Sequence, residues 1–168
     1  WFETPLGPME VGVKLNEQEA DVYWYFEFKR PEEIRDIENL DTHPLLSLAE
    51  RQLNEYFAGQ RREFDELFLH LSDYGTEFQR RVWQGLRQIP FGETWSYGDL
   101  AKHIDKPKAV RAVGAANGKN PLAVVVPCHR VIGANGTLTG YAGGMDKKQW
   151  LLAFEGQANP NWVQQPLL

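Results

Sequence analysis

Apolar and polar residues alternate along two segments near the N-terminus, and this period of two predicts β-strands. Residues 9–15 alternate as a half-buried strand does, and residues 21–29 are rich in aromatic residues that favour strands. Residues 16–20 between them suit a hairpin connection. The first part of the chain is therefore predicted to form a small antiparallel sheet.

A change to helical spacing follows this predicted sheet. Residues 31–44 are polar and have a proline at each end, which predicts a connection or an irregular helix. Pro44–Phe57 carries apolar residues near one face and is followed by Gly59, so it predicts an amphipathic helix with a C-terminal glycine. Residues 60–75 are acidic and are predicted to form a linker.

Two capping-box sequences mark the starts of helices in the second half of the chain. In a capping box, a hydroxyl side chain accepts a hydrogen bond from the amide three residues later, and the side chain of that later residue accepts one from the first amide. The two pairs with this spacing are Thr76 with Gln79 and Ser96 with Asp99. The first of these helices is predicted to end at residues 90–92, and the second is short. The apolar face of the first helix consists of Phe78, Val82, Leu86 and Ile89.

A third helix is predicted from residue 108 to residue 117, with Pro107 in its first turn. It is rich in alanine and glycine, so it can approach another surface closely, and it carries the long basic side chain of Arg111. With the short helix before it, it forms a candidate helix-turn-helix, a motif that binds DNA. A close contact between two helices, with Arg111 in solvent, is the alternative that this segment leaves open.

Residues 120–130, NPLAVVVPCHR, contain the only cysteine of the chain, Cys128. An Asn-Pro turn signal precedes five apolar residues, which predict a buried extended segment that ends at Pro127. The segment delivers a thiol beside the imidazole of His129 and the guanidinium of Arg130. Either group can favour the reactive thiolate, and an inert buried cysteine is the alternative.

Short extended pieces and a last helix complete the predicted elements. An Asn-Gly pair after residues 131–133 is a tight-turn signal. The glycine-rich segment 140–144 lacks the Gly-Lys-Ser/Thr of a phosphate-binding loop, but its backbone amides can approach a ligand closely. Asp146, with Gln149, is predicted to cap a helix that ends near Glu155.

These elements predict an α+β protein with two domains. Residues 1–75 form an N-terminal domain with a small antiparallel sheet, residues 76–156 form a mostly helical domain with the helix-turn-helix, and residues 157–168 form a tail. The boundary lies where the charge changes sign, since the first domain has 7 Lys/Arg against 17 Asp/Glu and the second has 11 against 6. The domain that holds Cys128 is therefore basic, which favours a phosphate-rich partner despite a net charge of −5.

Bulk properties argue against several other classes of protein. A hydrophobic content of 42% and a charged content of 24% are ordinary for a soluble globular protein. One cysteine cannot form an intramolecular disulfide and indicates a reducing compartment. No apolar run reaches membrane-spanning length and no signal-peptide pattern opens the chain, so no membrane partner is expected. Four scattered histidines give no zinc-ligand spacing, so no metal is expected.

Nucleophilic chemistry at Cys128 remains as the candidate reaction. His129 is adjacent in sequence, and adjacent residues on an extended chain point apart, so a proton is expected to pass between them through a water molecule. A carboxylate that orients His129 is also expected. The spacing leaves Glu155 and Asp146 open as candidates.

Residues 76–156 resemble the active domain of the O6-alkylguanine-DNA alkyltransferases, also called methylated-DNA–protein-cysteine methyltransferases. The resemblance is specific, because five motifs occur in the family's order and at its spacings. They are TEFQRRVWQGLRQIPFGETWSYGDLA, RAVGAANGKNP, VVPCHRVIG, GYAGG and KKQWLLAFEG. Before them, TPLGPM and LNEYFAG are in keeping with the family's N-terminal domain, a ribonuclease H-like antiparallel sheet with helices.

The resemblance implies a role for each residue around Cys128. Cys128 takes the alkyl group from O6 of guanine by direct displacement, and His129 acts as a base through a water molecule, oriented by Glu155. Asn120 is the hinge asparagine that ties the recognition helix to the active-site segment. Tyr97 rotates the phosphate of the target nucleotide and helps to protonate the departing guanine.

The resemblance also implies which residues contact DNA and the base. Arg111 takes the place of the flipped base in the stack, and the small recognition helix enters the minor groove, which it recognises by shape. The expected DNA-binding residues are Arg111, Tyr97, Ala112, Ala115 and Arg130. The expected pocket residues are Tyr141, Ala142, Gly143, Gly144 and Lys148, with Ala142 in place of a serine found in some members.

The implied function is direct-reversal DNA repair. The protein flips an O6-alkylguanine out of double-stranded DNA and takes its alkyl group irreversibly onto cysteine, once per molecule, with O4-alkylthymine as a further candidate substrate. The resemblance implies no cofactor and a monomer. It implies a location in the bacterial cytoplasm, or in the nucleus of a eukaryote.

Three other functions compete with this one. A noncatalytic alkyltransferase-like protein binds lesions but has no cysteine at the acceptor position, so Cys128 argues against it. A cysteine hydrolase that uses Cys128, His129 and Glu155 requires an oxyanion hole and turns over many times. A plain helix-turn-helix regulator binds a specific sequence and does not need the cysteine.

Overall fold

The computed structural model describes residues 1–15, 22–28, 44–68, 75–138, 140–141 and 143–156. The chain divides into two compact units, one made of residues 1–74 with 121–125 and the other of residues 75–120 with 126–168. The predicted hairpin at 16–20, the connection at 31–43 and the tail at 157–168 lie outside the described residues.

The sheet of the first unit is three-stranded and antiparallel. Its strands are β1 (Phe2–Thr4), β2 (Gly7–Leu15) and β3 (Val22–Phe28), which lie in that order. Met9 of β2 pairs with Phe2 on one side and with Phe28 on the other, and its side chain is fully buried. Both predicted strands are confirmed, and the two-residue period places Met9 in the core.

Helix α1 (Pro44–Phe57) has the predicted bounds and packs against β2 and β1. Ala49, Leu53 and Tyr56 are fully buried, at the three- and four-residue spacing that forms one helical face. Gly59 follows the helix with a φ of +77°, the left-handed conformation that glycine adopts without strain at helix ends.

The predicted linker at 60–75 contains a short helix, α2 (Asp65–Phe68). Phe64 and Leu67 are buried, and the ring of Phe64 lies 5.7 Å from that of Tyr56. The prediction of a linker is wrong for this stretch, because its two apolar side chains are spaced to enter the core from a single helical turn.

The second unit begins with the two predicted capping boxes, and both are confirmed. Helix α3 spans Glu77–Leu86 and helix α4 spans Tyr97–His103. The Thr76 hydroxyl accepts from the Gln79 amide at 3.1 Å, and the Gln79 side chain accepts from the Thr76 amide at 3.0 Å. Ser96 and Asp99 exchange the same two bonds, each 3.0 Å long. These local bonds satisfy amides that a helix start leaves open.

Helix α5 (Val110–Gly118) begins two residues later than predicted. Pro107 lies in the turn before it, where the Ala109 amide donates to the Lys106 carbonyl at 2.9 Å. Proline is favoured at the second position of such a turn, because its ring fixes the φ that the turn requires. The prediction that Pro107 opens the helix is therefore wrong.

Helices α3, α4 and α5 pack against one another through small residues and one buried indole. The Trp83 Nε1 atom donates to the Ala116 carbonyl at 2.9 Å, which links α3 to α5. A Cβ atom on Gly85 would lie 2.9 Å from Cδ1 of Leu100, so glycine allows α4 to lie close to α3. Ile89 is buried, but it lies beyond the end of α3 and not on its helical face as predicted.

The predicted extended segment before Cys128 is buried but is not extended. Residues 123–125 form a turn, in which Val124 has a φ of +74° that β-branched residues rarely adopt. Pro127 then forms a tight turn in which the Cys128 amide donates to the Val126 carbonyl at 2.8 Å. Apolar composition indicates burial correctly, but a short apolar run does not distinguish a strand from a buried turn.

Two short strands and a last helix complete the second unit. Strand β4 spans Trp95–Ser96 and pairs in parallel with β5, which spans Val131–Ile132. The Asn-Gly turn after β5 is confirmed, since the Gly136 amide donates to the Gly133 carbonyl at 2.9 Å.

Helix α6 (Met145–Phe154) starts without the predicted side-chain cap. Gly144 occupies the cap position with a φ of +104°, and Asp146 lies in the first turn, so the prediction that Asp146 caps the helix is wrong. A carboxylate in the first turn still interacts favourably with the helix dipole. No helix within the described ranges is both long enough and apolar enough to cross a membrane.

Candidate active site around Cys128

Cys128 opens a single 3-10 turn, Cys128–Arg130, which leads directly into β5. The cysteine is 7% exposed, and its burial raises the pKa of the thiol, because a buried charge is disfavoured. A hydrogen bond with the Asn120 side chain and the charge of Lys148 act in the opposite direction and are weaker. At rest the sulfur is therefore a neutral thiol, and a base is required to make it a nucleophile.

Asn120 follows the end of α5 and reaches the segment before the cysteine. Its Nδ2 atom donates to the Val126 carbonyl at 2.8 Å, two residues before Cys128. The same side chain hydrogen-bonds the thiol. One amide thus joins the end of α5 to the backbone that positions Cys128.

The carboxylate that the sequence left open is Glu155. Its Oε2 atom lies 2.8 Å from Nε2 of His129, and both residues are buried, whereas Asp146 is exposed. Burial alone would raise the pKa of Glu155, but the interactions of its carboxylate with His129 and Arg130 outweigh burial and lower the pKa to about 2. Glu155 is therefore ionised at neutral pH.

This bond determines which nitrogen of His129 is basic. Burial, together with the charges of Arg130 and Lys148, lowers the pKa of His129 against the opposing effect of Glu155, so the ring is neutral at pH 7. An ionised carboxylate only accepts hydrogen bonds, so Nε2 carries the proton and Nδ1 keeps its lone pair. Nδ1 is buried and has no hydrogen-bond partner among the described residues. The geometry therefore presents Nδ1 as the proton acceptor.

Arg130 does not occupy the surface position that its predicted contact with DNA requires. It is 6% exposed, and its Nε and Nη2 atoms donate to the two carboxylate oxygens of Glu155 at 2.6 and 3.0 Å. Its Nη1 atom donates to the Ile89 carbonyl at 2.7 Å. The predicted role in DNA binding is corrected to an internal one, in which Arg130 binds both carboxylate oxygens of Glu155, one of which also bonds His129.

Lys148, predicted as part of the base pocket, is fully buried on α6. Its Nζ atom donates to the Val131 carbonyl at 2.6 Å. Burial lowers the pKa of Lys148 to about 8, and the Cys128 charge acts in the opposite direction. Each of Lys148 and Cys128 thus favours the charged form of the other.

The other predicted pocket residues lie before and at the start of α6. The Tyr141 hydroxyl is buried without a hydrogen-bond partner among the described residues, and burial raises its pKa well above the usual value. Gly143 and Gly144 are half-buried, and the Gly144 amide donates to the Tyr141 carbonyl at 2.9 Å. Ala142 lies outside the described residues.

The predicted DNA-binding residues other than Arg130 lie on α4 and α5. Arg111, Ala112 and Ala115 are exposed on α5. Tyr97 is the first residue of α4 and is half-buried. Its ring packs close to Gly114 of α5, since a Cβ atom added to that glycine would lie 3.9 Å from the ring. The structure thus brings Arg111 and the small residues to one exposed surface, with Tyr97 packed against the same helix.

Asn117 belongs to this region, although no role was predicted for it from the sequence. It lies on α5 three residues before Asn120, it is 6% exposed, and its Oδ1 atom has no hydrogen-bond partner among the described residues. A polar side chain within an otherwise alanine- and glycine-rich helix is the one signal in the sequence that marks it. No cluster of three or more metal-ligating side chains occurs in the described part of the chain.

Comparisons with known proteins agree on one family. The family described as "6-O-methylguanine DNA methyltransferase, DNA binding domain" matches residues 77–157. A methylated-DNA–protein-cysteine methyltransferase of Methanosarcina acetivorans is 49% identical over 158 residues, which cover 92% of this chain and 96% of that protein. The enzyme of the same name from Salmonella typhimurium is 46% identical over 160 residues, covering 91% and 92%.

Solved structures give the same result. A crystal structure of Mycobacterium tuberculosis OGT in complex with DNA has a TM-score of 0.71 at 43% identity and covers 96% of this chain and 94% of that one. A crystal structure of a single-residue variant of OGT from the same organism has a TM-score of 0.73 at 41% identity, covering 95% and 92%. With this identity over nearly its whole length, the chain belongs to the methylated-DNA–protein-cysteine methyltransferase family.

Proposed function

We propose that this protein repairs DNA by transferring the alkyl group of O6-alkylguanine to Cys128 in a single, irreversible event. The observation that carries the proposal is the buried thiol of Cys128 in one short turn with His129, whose ring is held by Glu155 at 2.8 Å. The family membership of the chain supports the same reaction. A buried thiol beside an oriented imidazole is suited to nucleophilic attack.

The chemical step begins with proton transfer from the thiol. Nδ1 of His129 accepts the proton through a bridging water molecule, while Glu155 stabilises the imidazolium that forms. The thiolate then attacks the alkyl carbon, the S–C bond forms, and the C–O6 bond breaks. Its electron pair goes to the guanine, which is protonated with the help of Tyr97. The thioether product has no ready leaving group, so each molecule reacts once.

The base pocket in this proposal uses residues of two segments. Tyr141, Ala142, Gly143 and Gly144 bind the flipped guanine, and the small size of the last three lets backbone atoms approach the base. Lys148 supports the thiolate, because its buried ammonium and the sulfur each favour the charged form of the other. O4-alkylthymine is a further candidate substrate of the same pocket.

The DNA-binding surface in this proposal is a helix-turn-helix made of α4 and α5. The exposed face of α5 offers Arg111 beside Ala112 and Ala115, a long basic side chain on an otherwise shallow surface. A shallow helix can enter the minor groove, and a side chain inserted into the stack offsets part of the cost of flipping the base. Exposed lysines nearby supply contacts to phosphate. They are Lys102, Lys106, Lys108 and Lys119.

The remaining parts of the proposal concern the whole chain. The first unit is of ribonuclease H-like type, which its antiparallel sheet and packed helix α1 support. The protein acts as a monomer on double-stranded DNA. It works where that DNA is, in the bacterial cytoplasm or the nucleus of a eukaryote.

Mass spectrometry of the intact protein and its peptides tests the reaction. After mixing with a duplex that contains O6-methylguanine, we expect one added methyl group per chain, located on Cys128. Undamaged duplex and the Cys128→Ser variant are the controls and should give no mass change. Tight binding of the lesion without any transfer would instead favour a noncatalytic lesion-binding protein.

A further inference from the structure

The turn between α4 and α5 is tied to α3 by the side chain of Arg81. The Nη2 atom of Arg81 donates to the Ile104 carbonyl at 2.7 Å, across 23 positions of sequence. Ile104 is the C-cap of α4, the residue at which the proposed helix-turn-helix changes direction. The last carbonyls of a helix lack partners within it, so the guanidinium satisfies one of them and places a positive charge at the negative end of the helix dipole.

Local bonds fix the shape of this turn. The Lys106 amide donates to the Ala101 carbonyl at 2.9 Å, and the Asp105 amide donates to the Lys102 carbonyl at 3.0 Å. These two bonds form a Schellman motif, in which the residue after the C-cap is left-handed, and Asp105 has a φ of +60°. All of these partners lie within residues 101–106, so the bonds do not determine where the turn lies against α3.

Helices α3 and α4 are also closely packed at this point. Gly85 lies one turn after Arg81 on α3, so the two residues share a face of that helix. A Cβ atom on Gly85 would lie 2.9 Å from Cδ1 of Leu100 and 3.0 Å from Cγ2 of Ile104. Ile104 therefore contacts α3 through its side chain at Gly85 and through its carbonyl at Arg81.

Helix α5 is joined to α3 near its opposite end. The Trp83 Nε1 atom donates to the Ala116 carbonyl, in the C-terminal half of α5. The start of α5 carries Arg111, and residues 105–109 connect it to Ile104. Arg81 thus holds the motif at the end from which Arg111 extends.

We propose that Arg81 is a positioning residue for DNA binding: by holding the Ile104 carbonyl, it fixes the turn between α4 and α5 and thereby sets where Arg111 meets the duplex. This inference rests on the proposed function, in which the exposed face of α5 binds DNA. Without the bond, the turn and the start of α5 have more positions open to them. DNA binding must then supply the free energy that selects the productive position.

The test compares two substrates, of which only one needs the DNA-binding surface. The rate of methyl transfer from a duplex that contains O6-methylguanine is measured at subsaturating DNA, beside the rate of benzyl transfer from free O6-benzylguanine. Arg81→Met keeps a long apolar side chain and loses the hydrogen-bond donors. Its rate on the duplex should fall at least about fivefold, the size of one lost hydrogen bond, while its rate on O6-benzylguanine stays within about twofold.

A double-mutant cycle with Arg111→Ala shows whether Arg81 acts through Arg111. The effects of independent residues on a rate multiply, whereas those of two residues that act together do not. In the Arg111→Ala background, Arg81→Met should therefore slow duplex repair by no more than about twofold, against at least about fivefold when Arg111 is present. A merely structural role of Arg81 would give the same loss in both backgrounds.

Arg80→Met is the matched control. Arg80 is the preceding residue of α3, is also half-buried, and carries the same charge. Its Nη1 atom donates to the Gly75 carbonyl, just before α3, and not to the turn between α4 and α5. Both rates of Arg80→Met should stay within about twofold of the wild type. An equal loss on the duplex in the two methionine variants would assign the effect to the charge of α3 and overturn the inference.

The other outcomes separate this inference from the proposed function. A wild-type protein that transfers an alkyl group from neither substrate would overturn the proposed function. If the wild type reacts normally, the role of Arg81 alone is overturned by an unchanged duplex rate in Arg81→Met, by an equal loss on both substrates, or by an undiminished loss in the Arg111→Ala background. If Arg81→Met does not fold, Arg81→Gln takes its place, with the same expected losses and the same contradicting results.

Discussion

Nε2 of His129 lies 2.8 Å from Oε2 of Glu155, and the two residues are 26 positions apart in the chain. Glu155 is the C-cap of α6 and His129 is the middle residue of the Cys128–Arg130 turn, so the bond joins the end of a helix to the turn that carries the thiol. Arg130 donates hydrogen bonds to both oxygens of the same carboxylate. The group that orients the base is therefore also part of the core of the second unit.

This arrangement predicts a specific loss of stability in acid. The pKa of Glu155 is lowered from 4.5 to about 2, so the folded state binds this proton less readily than the unfolded state. The resulting stabilisation is complete above pH 4.5 and is lost as the pH falls toward 2. Its size is on the order of 3 kcal/mol. Urea unfolding from pH 6 to pH 2 should show this slope in the wild type.

Glu155→Gln is the variant that checks the origin of the acid slope. Glutamine has a similar shape and no charge, so this variant should be less stable at pH 6, since removal of one partner from a buried ion pair costs roughly 3–5 kcal/mol. The difference between variant and wild type should shrink as the pH falls. If the two proteins differ by the same free energy of unfolding at every pH, the loss of stability in acid comes from other carboxylates.

The buried Lys148 predicts a second change in stability with pH, this time in the alkaline range. Burial lowers its pKa from 10.5 to about 8, so between these values the unfolded chain keeps a proton that the folded chain has lost. The contribution of Lys148 to the free energy of unfolding therefore rises from pH 8 to pH 10.5, on the order of 3 kcal/mol. Lys148→Met should lack this rise.

The comparison is made in a Cys128→Ser background. Burial raises the pKa of Cys128, so the thiol holds its proton longer in the folded state and its contribution to stability falls as the pH rises. That change would oppose the one from Lys148. If unfolding of the serine and the serine–methionine proteins follows parallel pH curves, Lys148 is not the titrating group.

Much of the fold could be predicted because its signals are local. The capping boxes at Thr76 and Ser96 lie within four residues of sequence, and the bounds of α1 follow from apolar spacing and Gly59. The backbone conformation of the segment before Cys128 could not be predicted from such local signals. The positive φ of Val124 is strained for its residue type, so the surrounding structure imposes it and no local preference indicates it.

The candidate site was predictable to a similar degree. The thiol and its neighbour His129 stand together in the sequence, whereas the choice of Glu155 over Asp146 depends on how α6 packs. Arg130 was expected to contact DNA from the resemblance to the family. Its real partner is Glu155, 25 positions away, and a contact at that separation leaves no mark in local sequence.

Two glycines in helices of the second unit predict opposite responses to alanine. A Cβ on Gly85 would lie 2.9 Å from Leu100 and 3.0 Å from Ile104, so the packed side chains must move. A Cβ on Gly114 would meet the Tyr97 ring at 3.9 Å, an ordinary contact. Gly114→Ala should therefore stabilise the protein by up to about 1 kcal/mol through helix propensity, and Gly85→Ala should destabilise it by about 1–3 kcal/mol through overpacking.

Urea unfolding of the two alanine variants decides this prediction. Both substitutions add the same methyl group to a helical residue, at the middle of α5 for Gly114 and in the last turn of α3 for Gly85, so most of the helix-propensity gain cancels in the comparison. The remaining difference in the free energy of unfolding reports mainly the packing. Equal values for the two variants would mean that α3 and α4 can move apart without any loss of stability. That result would contradict the prediction based on the close packing at Gly85.

Arg111 predicts a difference between substrates that a merely structural residue would not produce. It is exposed on α5. In the proposed mechanism Arg111 is inserted into the base stack, so Arg111→Ala should slow repair of O6-methylguanine in duplex DNA at least about tenfold. Transfer from O6-benzylguanine without DNA should stay within about twofold, and the salt slope of DNA binding should fall by about 1. Arg51→Ala removes an equally charged, exposed side chain from the first unit and serves as the control. Equal losses on both substrates would show that Arg111 supports the fold of α5 and does not act on the DNA.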